Sequence, residues 1–259
     1  MIRTAKLFFW ADRALYLGMG FEAEPHTHHA VQICISLENS FSVRTSENQP
    51  WRQFQSVLIH ADVPHQFMGL GQELAVLYID HEARDAKAIR EQLYDETGIA
   101  EIPYAQVLNS VHTFKNNLQE KHNLHELYTT CDKVLGRICD LKKPVQPLDE
   151  RIAEIIAMLN SYEGDRISVQ EIAGNYGLSL GRLAHLFKEQ AGLPVRRYFL
   201  WRKILKAIQS LEQVSTLTEA AHLAGFADSS HMNRTFKQMF GIKPSFFQTH
   251  SKFVQVISF

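Results

Sequence analysis

The C-terminal third of this 259-residue chain contains one stretch of sequence twice, and this repeat constrains the fold more than any other feature. The first copy, SVQEIAGNYGLSLGRLAHLFKEQAGL, starts at Ser168, and the second, TLTEAAHLAGFADSSHMNRTFKQMFGI, starts at Thr216. Glu171 matches Glu219 at an offset of 48 residues. After one inserted residue, the Phe-Lys pair at Phe187 returns 49 residues later. Similarity at a fixed offset indicates a duplicated structural unit.

Each copy has the parts of a helix-turn-helix unit. The sequence predicts capping boxes at the start of each first helix, glycines at its end and N-caps before each second helix: Ser168 with Glu171, Thr216 with Glu219, Gly177 and Gly225, and Ser179 and Asp228. One long amphipathic helix, over about 195–212, is predicted to join the two units. A plain helical bundle without a ligand would explain the periodicity, but not the duplicated turns.

The repeat region is basic, although the whole protein is nearly neutral. Residues 179–252 hold eleven Lys or Arg and four acidic residues, which gives this segment +7 in a chain of net charge −1. Such a segment indicates a polyanionic partner, the alternative being a solvated basic face. The residues predicted to contact DNA lie on the outward faces of the two second helices: Arg182, His185 and Lys188 in the first, and Ser229, Ser230, Asn233, Arg234 and Lys237 in the second.

These residues are expected to divide into two roles. Arg182 and His185 can reach base edges, where arginine pairs with guanine, and Asn233 and the two serines can read adenine or act through water. Lys188, Arg234 and Lys237 lie toward the helix ends, where contacts to phosphate are more common.

The sequence resembles the AraC/XylS family of bacterial transcription regulators over about residues 149–250. The most specific stretch runs from Ala221 to Pro244 and reads A-x-x-A-G-F-x-D-x-x-x-M-x-R-x-F-K-x-x-F-G-I-K-P. The resemblance implies two units that place their second helices in successive major grooves of promoter DNA. It also implies RNA polymerase as a partner, with activation as the expected direction. Met232 stands where the family commonly has Phe, and Lys203 where it commonly has Arg in the joining helix.

The N-terminal part of the chain has a different pattern. Short β-branched and aromatic runs up to about residue 82 predict an antiparallel β-barrel or sandwich, and helical periodicity follows over about 83–142. The proline-containing segment KKPVQPL at 142–148 predicts a boundary between domains 1–145 and 146–259. The predicted fold class is α+β: an N-terminal antiparallel β-barrel, central dimerisation helices, and a C-terminal all-α domain with two helix-turn-helix units joined by a linker helix.

The third central helix carries an apolar seam with alternating spacings of three and four: Leu124, Leu127, Cys131, Val134, Ile138 and Leu141. This spacing is typical of a coiled coil, so the seam predicts a homodimer contact. The alternative is that the seam packs on the body of its own subunit.

Two histidine-containing segments, PHTHHAVQ from Pro25 and ADVPHQF from Ala61, resemble the two half-motifs of a cupin barrel. The resemblance implies that His26, His28, Gln32 and His65 converge on one cavity. Strand alternation places His26, His28 and Gln32 on one face and predicts that His29 points outward.

The preferred interpretation of this cavity is a pocket for a small-molecule effector, with no metal or cofactor, because Gln32 stands where a metal cupin has an acid. The alternatives are a transition-metal site on the three imidazoles, which suit such ions, and a cupin dioxygenase or isomerase fused to a DNA-binding tail. An architectural DNA protein without a ligand would leave the barrel unexplained.

The remaining features exclude several classes of protein. Three cysteines form an odd, sparse set, which indicates a reducing compartment rather than a disulfide framework. No apolar stretch reaches the ~18 residues of a membrane span, and the apolar start is too short for a signal peptide. We therefore expect a cytoplasmic transcription regulator, not an enzyme, that binds promoter DNA under the control of a small-molecule effector.

Overall fold

The computed structural model describes residues 5–93, 96–119, 123–211, 213–214, 216–245 and 253–256. The strands are β1 Lys6–Phe9, β2 Arg13–Met19, β3 Glu22–His26, β4 Ala30–Ser36, β5 Phe41–Arg44, β6 Arg52–Phe54, β7 Ser56–Ile59, β8 His65–Met68, β9 Glu73–Asp80, β10 Ile99–Glu101 and β11 Phe253–Val256. The helices are α1 Arg84–Gln92, α2 Tyr104–Gln119, α3 Leu124–Ile138, α4 Glu150–Ser161, α5 Val169–Asn175, α6 Leu180–Ala191, α7 Val195–Ser210, α8 Leu217–Leu223 and α9 Ser229–Phe240. The predicted α+β class is confirmed.

The described strands form two sheets. The larger has the order β10-β7-β4-β9-β2-β1-β11, and the smaller has the order β3-β8-β5-β6. Neighbouring strands are antiparallel except β1 and β11, which pair in parallel. The prediction of an antiparallel N-terminal β structure is confirmed, with the strands bonded as two sheets rather than one closed cylinder.

The central strands of the larger sheet are buried along almost their whole length. Every residue of β4 is buried, as are most of β2 and β9, because α2 covers part of the sheet at β2 and β4. This explains why these strands read as continuous apolar runs rather than as alternating ones.

The apolar seam of α3 packs inside the chain. Leu127, Cys131 and Val134 have no exposed surface, and α3 lies against α2, whose own apolar stripe includes Val107 and Phe114. The prediction that these seam residues form a dimer contact was wrong, because side chains with 0% exposure within one chain have no surface to offer a partner. A three-and-four spacing identifies a buried helix face without saying what buries it.

The chain divides into two compact units. One comprises Met1–Pro144 together with Phe236–Phe259, and the other comprises Val145–Thr235. The division between the two units falls within the proline-containing segment, between Pro144 and Val145. No sequence pattern predicted that residues 253–256 pair with β1 in the first unit. The predicted domains, 1–145 and 146–259, stay a prediction.

The second unit has its own apolar core. Ile152, Ile155, Phe187 and Tyr198, from α4, α6 and α7, are fully buried together in it. The Tyr198 hydroxyl donates a hydrogen bond to Asn160 Oδ1 at 2.9 Å, which satisfies a buried polar group. This core fixes the first helix-turn-helix unit on α4 and α7.

Among the described residues, no helix is both long enough and apolar enough to cross a membrane.

Candidate nucleic-acid interface and histidine cluster

The two predicted turns have the local structure of helix-turn-helix units. At the second copy, the Thr216 side chain accepts from the Glu219 amide while the Glu219 carboxylate accepts from the Thr216 amide, which makes a complete capping box. At the first copy, Ser168 accepts from the Glu171 amide at 3.2 Å. Gly177 and Gly225 have φ of 63° and 74°, a conformation in which any other residue would be strained.

The second helix of each unit starts at the predicted N-cap. Ser179 accepts from the Arg182 amide at 3.2 Å, and Asp228 accepts from the His231 amide at 2.7 Å. These caps fix where each helix begins and therefore which residues of its first turn are exposed.

The first recognition helix, α6, buries one face and exposes the other. Leu183 and Phe187 have no exposed surface, whereas Arg182, His185 and Lys188 are exposed. His185 Nδ1 lies 3.6 Å from Glu189 Oε2, one turn along the same helix. Three basic side chains thus share the solvent face of α6, as the sequence predicted.

In α9 the predicted contact residues differ in exposure. Ser230 and Arg234 are exposed, and Ser229, Asn233 and Lys237 are half-buried. The Asn233 Oδ1 atom is buried and has no hydrogen-bond partner among the described residues. A bidentate contact to adenine needs both amide groups, so this side chain would have to turn outward to read a base.

One basic residue of the +7 segment has a structural role. Lys203, in α7, is buried, and its amine donates to the carbonyl oxygens of Gly225 and Asp165. Burial lowers the pKa of Lys203. Lys203 therefore holds the turn of the second helix-turn-helix unit against α7. Its position in the joining helix, where the related family commonly has arginine, was the only sequence signal for this role.

In the N-terminal unit, the three predicted histidines form one buried cluster. The ring centroids of His26 and His65 lie 4.2 Å apart, those of His28 and His65 5.0 Å, and those of His26 and His28 5.6 Å. One ring nitrogen from each lies within 4.8 Å of the other two. The cluster joins the two sheets, because β3 and β8 carry His26 and His65, and His28 lies two residues before β4.

Each imidazole is oriented by a backbone carbonyl on its Nδ1 side. His26 Nδ1 donates to Glu24 O at 2.8 Å, His28 Nδ1 to Ala30 O at 3.0 Å and His65 Nδ1 to Val63 O at 2.9 Å. This fixes the tautomer and leaves Nε2 as the lone-pair donor in each ring. The His65 Nε2 atom is buried and has no hydrogen-bond partner among the described residues.

Gln32 lies beside the cluster, as predicted. Its Oε1 is 2.6 Å from His28 Nε2, and its Nε2 donates to Cys34 Sγ at 2.9 Å. With His28 Nδ1 already donating, two lone pairs would face each other across 2.6 Å. Either the amide is turned over, so that its NH₂ donates to His28, or a cation shares the two lone pairs.

All three histidines of the cluster are neutral near pH 7. Burial and the neighbouring His28 lower the pKa of His26 to about 3. Burial also lowers the pKa of His28, and burial with the two neighbouring imidazoles places the pKa of His65 well below its usual range. Neutral imidazoles with oriented Nε2 atoms are the form that binds a transition-metal ion. The residues present fit such an ion, with the neutral oxygen of Gln32 as a fourth donor.

His29 departs from its prediction. It lies between β3 and β4, and it is buried with 2% exposure rather than pointing into solvent. Its Nδ1 lies 3.1 Å from Asp62 Oδ2 and its Nε2 3.6 Å from Glu82 Oε2, and its ring stacks on His81. Burial alone would lower the pKa of His29, but bonds to Asp62 and Glu82 outweigh it and raise the pKa to about 9. Strand alternation predicted an outward side chain, but His29 lies outside the strands and contacts Asp62 in the turn after β7.

The segment 236–241, which belongs to the N-terminal unit, lies over the cluster. The Phe240 ring is 6.2 Å from that of His28 and 6.1 Å from that of Tyr78. The Glu24 amide donates to Gly241 O at 3.0 Å, so Glu24 contacts both His26 and the end of α9. The sequence did not predict this cover.

The fold defines a protein with two helix-turn-helix units and, in its N-terminal unit, β-sheets with a buried cluster of three histidines. A family of helix-turn-helix domains matches residues 151–250. The C-terminal part of the chain therefore contains a helix-turn-helix domain, which agrees with the resemblance predicted over about residues 149–250.

Two relatives of this part of the chain are transcription activators. The chain is 30% identical over 112 residues to the HTH-type transcriptional activator RhaS of Klebsiella pneumoniae, covering 43% of this chain and 40% of RhaS. It is 33% identical over 97 residues to RhaS of Escherichia fergusonii, covering 37% and 35%. The aligned part spans about 40% of the length of these curated relatives.

Solved structures share the whole fold. ToxT from Vibrio cholerae superposes with a TM-score of 0.58 at 14% identity, over 93% of this chain and 98% of ToxT. A structure of ToxT with a bound unsaturated fatty acid gives a TM-score of 0.55 at 16% identity, over 94% and 96%. At this identity the likeness establishes the fold alone.

Proposed function

We propose that the protein is a sequence-specific DNA-binding transcription regulator whose N-terminal unit binds a small effector. The observation that carries the proposal is the pair of capped helix-turn-helix units, with the basic solvent face of α6 and the exposed Ser230 and Arg234 of α9. A helical bundle that does not bind DNA would not require two matched turns or basic solvent-exposed helix faces.

DNA contact follows from the chemistry of these faces. Arg182 is placed in the first turn of α6, where a recognition helix meets base edges, and guanine is the natural partner of its guanidinium. Lys188, two turns further along, is placed to contact phosphate, as is Arg234 in α9. His185, Ser229, Ser230, Asn233 and Lys237 complete the proposed contact set.

The effector site is the cluster of His26, His28, Gln32 and His65. Its buried Nε2 atoms and the Gln32 amide offer hydrogen-bond acceptors and donors inside a largely apolar β unit, which is how small-molecule sites are built. ToxT, which shares the fold, has been solved with an unsaturated fatty acid bound. A coupling of ~1–3 kcal/mol between effector and DNA would give a useful switch.

A second candidate function is a metal-responsive regulator, with the ion as the effector. The observation that favours it is the convergence of three imidazoles, each with Nδ1 committed to a backbone carbonyl, together with the buried Nε2 of His65. The ion would be held by His26, His28 and His65, and would supply positive charge where Gln32 and His28 present facing lone pairs.

We further propose cytoplasmic location, homodimers formed through a surface other than the α3 seam, and RNA polymerase as partner. No catalytic role is assigned to any residue: the proposed sites bind DNA and effector.

DNA binding is tested with the full chain and a fluorescent duplex over a range of salt concentrations. Lys188→Ala should weaken binding to all sequences and lower the salt slope by about one, since one phosphate contact is lost. Lys142→Ala, an exposed lysine outside the helical repeat, is the matched control and should leave the slope unchanged. Equal slopes for wild type and Lys188→Ala would remove Lys188 from the interface.

The two effector candidates are separated by adding Co(II) to chelator-treated protein and recording the visible spectrum. The metal-responsive regulator predicts one Co(II) per chain with d–d bands that His65→Ala abolishes and that His112→Ala, on exposed surface, retains. The organic-effector regulator predicts no bound cobalt and an effector response that a chelator does not change.

A further inference from the structure

We propose that a cavity between α1 and the β7–β8 turn binds a small organic carboxylate through Arg90. This site is distinct from the three-histidine cluster, and it does not depend on the DNA-binding function.

The cavity has a volume of about 380 Å³, within the range of small-molecule sites. It is bounded by the start of β4, the β7–β8 turn, the end of β9, α1 and the residues before β10. Its apolar walls come from Val31, Val63, Pro64 and Ala86. A molecule with an apolar body and one charged group fits such walls.

Arg90 supplies the charge in the cavity. Its guanidinium is half-buried, and Nη1 donates to His81 Nε2 at 2.6 Å. Among the described residues, Arg90 forms no ion pair with a carboxylate. Burial lowers the pKa of Arg90, and the neighbouring Glu91 opposes this effect. An arginine in this condition gains most from an anion that enters beside it.

Among the described residues, the acids near the cavity are already engaged or are exposed to solvent. Asp62 and Glu82 flank the charged His29, at 3.1 and 3.6 Å. Glu96, at the cavity edge, is exposed, as is Glu91, which follows Arg90 in α1. Neither the acids beside His29 nor the exposed acids provide a buried counter-charge for the Arg90 guanidinium.

His81 orients Arg90 but does not compensate its charge. The Nε2 atom of His81 accepts the hydrogen bond from Arg90 Nη1, so this nitrogen carries a lone pair and the imidazole is neutral. Burial, together with His29 and Arg90, lowers the pKa of His81 to about 3, in agreement with this geometry.

The chemistry of a guanidinium selects the ligand class. Arginine presents parallel N–H groups that match the two oxygens of a carboxylate, and a charged hydrogen bond of this kind is stronger than a neutral one. With one half-buried guanidinium and apolar walls, an aromatic or branched aliphatic monocarboxylate fits better than a multiply charged phosphate.

The test is ¹⁹F NMR of the full chain titrated with 4-fluorobenzoate and with its neutral counterpart, 4-fluorobenzamide. We expect saturable broadening with the benzoate and none with the benzamide. Arg90→Gln should weaken benzoate binding at least about tenfold, the loss of one charge-assisted pair. Arg84→Gln, an exposed arginine on the same helix, is the matched control and should bind like the wild type.

Arg90→Lys is a control for a folding defect in Arg90→Gln. It keeps the positive charge but loses the paired N–H groups, so it should bind the benzoate with intermediate affinity. Saturable binding that survives in Arg90→Gln, equal binding of benzoate and benzamide, or no saturable binding of the benzoate to the wild type would each overturn the proposal.

Discussion

The Glu24 carboxylate lies 2.8 Å from Lys237 Nζ, within the N-terminal compact unit. Glu24 also accepts from His26 Nδ1 through its carbonyl and donates its amide to Gly241 O. One residue thus contacts a histidine of the proposed effector site and a lysine proposed to contact DNA. Glu24 therefore connects the histidine cluster to Lys237 within this unit.

Breaking the ion pair between Glu24 and Lys237 should increase the affinity for DNA. Glu24→Gln keeps both backbone hydrogen bonds but removes the charge that holds Lys237, so the lysine is available to phosphate. Exposed ion pairs contribute ~0.2–1 kcal/mol, which corresponds to a gain in DNA affinity of up to about fivefold. Anisotropy titration of a fluorescent duplex measures the change. Glu22→Gln, an exposed glutamate on the same strand, should have no effect, and a Glu24 variant that binds DNA more weakly would contradict the interpretation.

The pH dependence of stability should show the ionised state of His29. Its folded-state pKa is raised to about 9, above the usual value of 6.5. A raised pKa means that the folded protein binds the proton more tightly, so this stabilisation is complete below pH 6.5 and is lost as pH rises toward 9. The shift corresponds to ~3 kcal/mol.

Urea unfolding of wild type and His29→Gln at several pH values measures this contribution. The free energy of unfolding of the variant should be lower at pH 6, and the difference should narrow as the pH approaches 9. His125→Gln, at an exposed position on α3, should follow the wild type throughout. A difference that is constant with pH would mean that His29 is not charged in the folded protein.

Much of this structure could be predicted from the sequence, because the decisive signals were local. The capping residues Ser179 and Thr216, and the turn glycines, have the roles that their residue types dictate. The convergence of His26, His28 and His65 was predicted from the spacing of the two cupin-like half-motifs, although His28 lies between β3 and β4 rather than in a strand. Other features depend on which elements meet in space, and no local pattern specifies that. Examples are the burial of His29, the Lys203 contact with Gly225 and the cover formed by Phe240.

The α3 seam should behave as a core element rather than as an interface. Leu127→Ala removes a fully buried side chain and should lower the free energy of unfolding by ~2–5 kcal/mol. Leu108→Ala, at a position of α2 with 52% exposure, should change it by less than ~0.5 kcal/mol. Chemical denaturation measures both values, and sedimentation velocity shows the oligomeric state. A folded Leu127→Ala protein with wild-type stability and an altered oligomeric state would restore the seam as a subunit contact.

Sequence-specific recognition of DNA by the two helices α6 and α9 is the central property proposed for this protein. One selection experiment tests this property. Duplexes with a random central region are selected with the wild-type chain and with Arg182→Ala, and the bound fractions are sequenced. We expect the wild type to enrich two short motifs about one helical turn, ~10 base pairs, apart. Arg182→Ala should lose the preference in one motif, at a guanine, and keep the other. No enriched motif with the wild type, or the same motifs with the variant, would contradict the account.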